Sequence, residues 1–307
     1  MKYLFILSFA ALGVAGRALP GLPKLRRDVS TFTDVDILNY ALTLEHLENA
    51  FYSGALAAFN QSAFDETELP DSARGRFAQI GQHEKQHVEL LSTVLGSNAT
   101  KPCNYTFPYT DPQSFAALSQ VLEGVGVSAY TGAAKFLKTN GYLEVAASIL
   151  STEARHASFV AGALNNQSPW SGAFDVPLTL DQVYSLAASF IVSCPADNPP
   201  LPVKAFPALN VTSNGLLVAI SPGSNIKVSY TPATPAPGGT TLCLAFYTGL
   251  DVKFAPLTAD HTAVVPANLT GTVYGVVSTN CTKADDTSII AGPFIFVFDF
   301  DENGNYQ

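Results

Sequence analysis

At 307 residues, 47% of them hydrophobic and 13% charged, the chain has apolar mass for one large core or two ordinary ones. A net charge of -9 excludes a general nucleic-acid binder, which would carry a basic patch. Four cysteines with no Cys-x-x-Cys spacing exclude a zinc ribbon or a thioredoxin-type redox motif.

Residues 1–16 open with Lys2, continue as LFILSFAALGVA and end in small residues, the pattern of a secretory signal cleaved near Gly16 or Ala18. This apolar run is too short to span a bilayer comfortably. Residues 1–18 therefore read as a signal peptide and 19–29 as a propeptide or flexible N-terminus. KLRR, ending at Arg27, offers a dibasic processing site that would leave Asp28 first, or else is simply a basic tail. Secretion agrees with the Asn-x-Ser/Thr sequons at Asn60, Asn98, Asn104, Asn166, Asn210, Asn268 and Asn280. In an oxidising compartment the expected pairs are Cys103 with Cys194 and Cys243 with Cys281, two other connectivities remaining open. The C-terminal DFDENGNYQ has no lipid-anchor tail, which completes the expectation of a secreted, extracellular or cell-wall-associated glycoprotein without a membrane span.

Helices are expected over 34–59, with Thr33 or Asp34 as cap, and over 72–95, 114–138, 143–164 and 180–193. In the second, Phe77, Ile80, Leu91 and Val94 share one stripe, and Glu84 and His87 continue it. A carboxylate and an imidazole on a buried stripe are costly unless something neutralises them, and a metal ion is the usual answer. The fourth helix repeats the pattern, with Ala146, Ile149, Val160 and Ala163 framing Glu153 and His156. The first carries Leu38, Glu45 and Tyr52 at heptad spacing, and the third Ala116, Glu123, Tyr130 and Leu137. Each half thus reads Glu, Tyr seven later, then Glu-x-x-His. Glu48 also lies near the buried stripe, but Glu45 is preferred as the ligand because the position matching Glu48 is Gly126. Tyr52, Tyr130 and Glu48 would stand behind the ligands, although the two tyrosines read equally as large core residues with a satisfied hydroxyl.

CPADNPPLPVKAFP cannot continue a helix, so a Pro-rich linker is placed at 196–206. Beyond it LLVAI, IKVSY, LCLAFY, TAVV, TVYGVVS and FIFVFDF alternate with turn residues, the rhythm of an immunoglobulin-like β-sandwich over 207–307. His261 within it reads as a surface residue. The fold class expected is α+β in two domains, a helical bundle with a fifth helix over 30–195 followed by the sandwich.

Two Glu-x-x-His helices and two single glutamates place six donors in one bundle interior, a set that holds two divalent ions. Carboxylates with imidazoles suit iron or manganese better than a thiolate-preferring metal, with iron preferred and zinc not excluded by affinity order. HEKQH, from His83 to His87, also matches the His-Glu-x-x-His of zinc proteases. Against that reading, no HxxGxxH extension follows, no aspartate stands four residues after Glu123, Glu144 or Glu153, and the second motif at Glu153 would be redundant. The plainest alternative puts these residues on solvated faces, as for Lys85 and Glu89, four apart.

LNYALTLEHLENAFY, QHEKQH, LEGVGVSAY and STEARH together resemble the ferritin-like superfamily, and more closely the secreted ferritin-like proteins of fungi linked to stress and sexual development, related to plant desiccation-related proteins. The resemblance covers roughly residues 30–195. It implies Glu45, Glu84, His87, Glu123, Glu153 and His156 as metal ligands, with Glu84 and Glu153 bridging, and no catalytic residue beyond them. It further implies metal oxidation or peroxide removal, with metal ions and oxygen or peroxide as partners, a possible di-metal oxidoreductase of the ferroxidase or peroxide-consuming kind. The reading from a different class is a non-catalytic stress or cell-wall-associated protein with a vestigial metal site and a partner held by the β-domain.

Overall fold

The computed structural model describes residues 32–213, 220–231 and 239–306. The expected signal peptide and most of the LLVAI strand lie outside them, as does the propeptide.

Six helices carry the N-terminal half: α1 (Asp34–Ala58), α2 (Gln61–Asp65), α3 (Ala73–Leu95), α4 (Pro112–Ala133), α5 (Asn140–Phe159) and α6 (Leu180–Ala187). Thr33 caps α1 with a reciprocal bond to Asp36, and Asp111 and Thr179 cap α4 and α6 in the same way with Ser114 and Gln182. The sequence places the start of α4 at 114. Asp111 begins it earlier, because Pro112 at the first helical position lacks only an N–H that would have no partner there anyway.

Two stripe residues are corrected. Val94 is exposed and Leu95 is buried, since four residues from Leu91 return more nearly to the same face than three. Ala163 is exposed because residues Val160–Leu164 form a π-helical turn, whose wider winding turns Ala161 and Leu164 inward instead. The fifth expected helix also ends early. After Ala187 a 3₁₀ turn leads into Ile191–Ser193, which is extended as β2 against β1 (Asn104–Tyr105). β-branched Ile191 and Val192 favour that state, and the Cys103–Cys194 disulfide ties the pair together. The Cys243–Cys281 disulfide links β5 to the loop after β8.

The C-terminal half is sheet-rich and antiparallel. β3 (Asn210–Ser213), β4 (Asn225–Ser229) and β7 (Thr262–Val264) make one sheet, in the order β3-β4-β7. β5 (Cys243–Thr248), β6 (Asp251–Pro256), β8 (Gly271–Ser278) and β9 (Ile289–Phe298) make another, in the order β6-β5-β8-β9. One face of the four-stranded sheet, through Leu244, Phe246, Val273 and Val277, shares a core with Val211, Ile226 and Val228 of the smaller sheet. Its other face, through Ala245, Tyr247, Tyr274 and Val276, joins the core of the helices at Val125, Ala129, Leu178 and Val183. Burial on both faces explains why β5 and β8 are apolar almost throughout rather than alternating. The Pro-rich segment is held against α6, with the Lys204 N–H donating to Asp181 (3.0 Å) and the Phe206 N–H to Ser185 (2.8 Å). His261 is half-buried, stacked on Tyr230 with ring centres 5.4 Å apart.

Candidate metal centre

α1 packs on α3 and α4 on α5, and each pair delivers its polar residues to the space between the pairs. Glu45, Glu84 and Glu153 are fully buried, Glu123 and His156 nearly so, and His87 is 9% exposed. The solvated-face reading therefore fails for these six. It holds for Lys85 and Glu89, an exposed pair at 3.6 Å.

Both imidazoles turn Nδ1 inward. That of His87 lies 3.0 Å from Glu84 Oε2, 3.2 Å from Glu45 Oε2 and 3.4 Å from Glu153 Oε1. That of His156 lies 3.1 Å from Glu123 Oε2 and 3.2 Å from Glu84 Oε1. Glu84 thus offers one oxygen to each histidine. Four-donor groups form on either side, Glu45, Glu84, His87 and Glu153 on one and Glu84, Glu123, Glu153 and His156 on the other, with the donor atoms of each within 4.8 Å of one another. Glu84 and Glu153 belong to both.

The donor chemistry fits metal ions. One Nδ1–H cannot satisfy three carboxylates, and both oxygens of buried Glu153 have no hydrogen-bond partner among the described residues. A carboxylate left that way is costly in a protein interior, and a cation shared among the carboxylates removes the cost.

Without a cation the charges settle unevenly. Burial pushes Glu153 well above the usual carboxylate range, and the neighbouring Glu84 and Glu123 add to it. Burial also lifts Glu45, to about 7, against the opposing pull of His87. For Glu84 burial is outweighed by the bonds from His156 and His87, which bring it down to about 2. The histidines respond in kind, since burial lowers them but the paired carboxylates raise His87 to about 10 and His156 to about 9.

Two tyrosines cross between the halves. The Tyr52 hydroxyl of α1 donates to Glu123 of α4 and sits 2.7 Å from Ser119 Oγ, while the Tyr130 hydroxyl of α4 donates to Glu45 of α1. Both stand behind the carboxylates as the sequence spacing suggests, and both also belong to the apolar core. Glu48 lies beside the cluster, 5% exposed, and burial together with Glu45, Glu84 and Glu123 raises it well above the usual range. A Cβ at Gly126 would stand 2.9 Å from Glu153 Oε2 and 3.3 Å from Glu48 Oε1, so the absent side chain makes room for both carboxyls.

His83 stands outside the cluster, in line with the sequence argument against the protease match. It is exposed and belongs to neither donor group; its Nδ1 meets His156 Nε2 at 2.9 Å with the rings stacked. The protease geometry, in which His83 and His87 grip one ion, is absent among the described residues. The outer partners, Ser119 on Tyr52 and His83 on His156, leave no sign in the sequence because they come from different helices. Gly126 was visible only as the odd position opposite Glu48.

Residues 33–166 match the model of the ferritin-like domain family. The chain is 30% identical over 184 residues to Protein rds1 of Schizosaccharomyces pombe, a match that covers 59% of this chain and 46% of that protein. The match thus spans about half the length of this curated relative. Sequence match and helical geometry agree that the N-terminal half carries a ferritin-like helical bundle with buried Glu and His groups able to hold metal.

Proposed function

We propose that this chain is a secreted, glycosylated ferritin-like protein whose bundle holds a dinuclear iron or manganese centre used to oxidise ferrous iron or consume peroxide. The observation that carries this reading is the pair of four-donor groups sharing Glu84 and Glu153. Glu84 and Glu153 would serve both ions, Glu45 and His87 would complete one site, and Glu123 and His156 would complete the other. The ions would supply the redox chemistry. The chain supplies coordination, a dry interior, tyrosine hydroxyls that fix Glu45 and Glu123, and His83, which fixes the outer nitrogen of His156.

Secretion draws support from the two disulfides and from the sequons, whose seven asparagines are all exposed. No helix of the described residues is long and apolar enough to cross a membrane. The seven strands of the two C-terminal sheets fit an immunoglobulin-like sandwich offered to a cell-wall or protein partner.

The test is elemental analysis of protein purified from its natural secretion route without chelator or affinity metal. About two equivalents of iron or manganese per chain are expected, falling to near zero in Glu84→Ala/Glu153→Ala. Full metal content in that variant sinks the assignment, and a single zinc per chain overturns the dinuclear iron or manganese reading.

A further inference from the structure

A pocket of about 160 Å³ opens between α1, α4, the end of α6 and β9. Its walls are apolar, including Leu44, Leu47, Val121, Val125, Phe190 and Ile295, and among the described residues the only polar side chains that line it are those of Ser189 and Glu48. Val121 and Ser189 are exposed and mark its mouth, whereas Glu48 and Gly126 are buried and mark its inner end. Glu48 is 5% exposed, yet its carboxyl has no hydrogen-bond partner among the described residues. A buried carboxyl in that state normally has something to bind. The matching position in the other half of the sequence repeat is Gly126, so nothing in the repeated Glu and His pattern calls for Glu48.

We propose that this pocket binds a small uncharged molecule of one-ring size, a phenol, with its ring against the apolar walls and its hydroxyl donating to Glu48. Size sets the ring, because an apolar cavity of about 150 Å³ takes up benzene. The walls exclude a charged ligand, which would lose its hydration without recompense. The single unpaired carboxyl at the inner end selects a hydroxyl over a bare ring. The walls are the chain's own side chains, so the site does not depend on metal being bound. Gly126 links the two, since Glu48 and Glu153 approach the same face of it.

The test is calorimetric titration of the full chain, metal-free and metal-loaded, with phenol, benzene, benzoate and benzylammonium. Phenol is expected to bind both forms, benzene more weakly, and the two ions not measurably. Glu48→Leu should weaken phenol by about tenfold or more while leaving benzene within about twofold. Val121→Trp should close the mouth and abolish binding, and Ser189→Trp does the same from the other side should the first variant fold poorly by circular dichroism. The proposal is overturned by no binding of phenol up to its solubility, by phenol binding that survives both tryptophan variants, by equal loss of phenol and benzene in Glu48→Leu, or by benzylammonium binding more tightly than phenol. Because metal-free protein is tested, failure here leaves the metal reading intact, and loss of the metal reading leaves this one.

Discussion

The two halves of the bundle, α1 with α3 and α4 with α5, repeat one polar pattern and differ in what lies beside it. Glu45, Tyr52, Glu84 and His87 correspond to Glu123, Tyr130, Glu153 and His156, and each tyrosine holds the glutamate of the opposite half. The exceptions are Glu48 opposite Gly126, and His83 where α5 has Thr152. The shared part builds a closed cluster. The exceptions give it an apolar pocket on one side and, at His156, a histidine leading to the surface. Equivalent side chains therefore sit in unequal surroundings, and unequal behaviour is how the comparison can be tested.

The largest effect is expected from pH. In metal-free protein His87 and His156 are held at about 10 and about 9, above the ordinary 6.5, so the stability they bring is complete below pH 6.5 and lost as pH rises through those values. Raised Glu153 acts in the same direction, losing stability as pH climbs above the ordinary carboxylate value. Glu84, held at about 2, acts oppositely and matters only below the ordinary carboxylate value of 4.5. The melting temperature of metal-free protein should fall by several degrees between pH 7 and pH 10, with His156 losing its proton before His87 in an NMR titration. A flat profile would mean that the carboxylates are not paired with the histidines. Metal loading at pH 7 should release roughly two to three protons per chain, because ligands bind deprotonated.

Gly126→Ala is expected to cost about 1–3 kcal/mol in chemical denaturation, since its Cβ would meet Glu153 and Glu48, and to weaken metal retention with it. Glu48→Leu removes a buried carboxyl without partner and should leave the melting temperature unchanged or higher. Equal losses from the two would erase the distinction between the sides. Tyr52→Phe and Tyr130→Phe should each lower metal affinity by about tenfold in chelator competition, and by like amounts, because their roles mirror each other across the halves. The smallest effect is His83→Ala, about threefold, with exposed His83 giving up one hydrogen bond to His156. A loss as large as that of His87→Ala would make His83 a ligand.

Glu84 with His87 and Glu153 with His156 were readable from the sequence because residues three apart share a helix face, and a charged pair in line with Phe77 and Ile80, or with Ala146 and Ile149, announces a buried site. Glu45 and Glu123 were readable from heptad spacing to Tyr52 and Tyr130. Both disulfides appear as expected, each pair lying on one side of the Pro-rich segment. Local periodicity failed where winding changed, at the π turn that exposes Ala163, and where β-branched Ile191 and Val192 left the helix to pair with β1.

The sequence by itself determined that the paired Glu and His residues enter the bundle interior, since that follows from helical period and the cost of burying charge. Only the tertiary structure decided that the tyrosines cross between halves, that His83 meets His156 instead of His87, and that the four-stranded sheet packs on the helices. Those outcomes depend on which helix faces which, set by long-range packing such as that of Leu178 on Gly132, where no Cβ would fit. Spacing along one helix carries no information about the neighbour across the core.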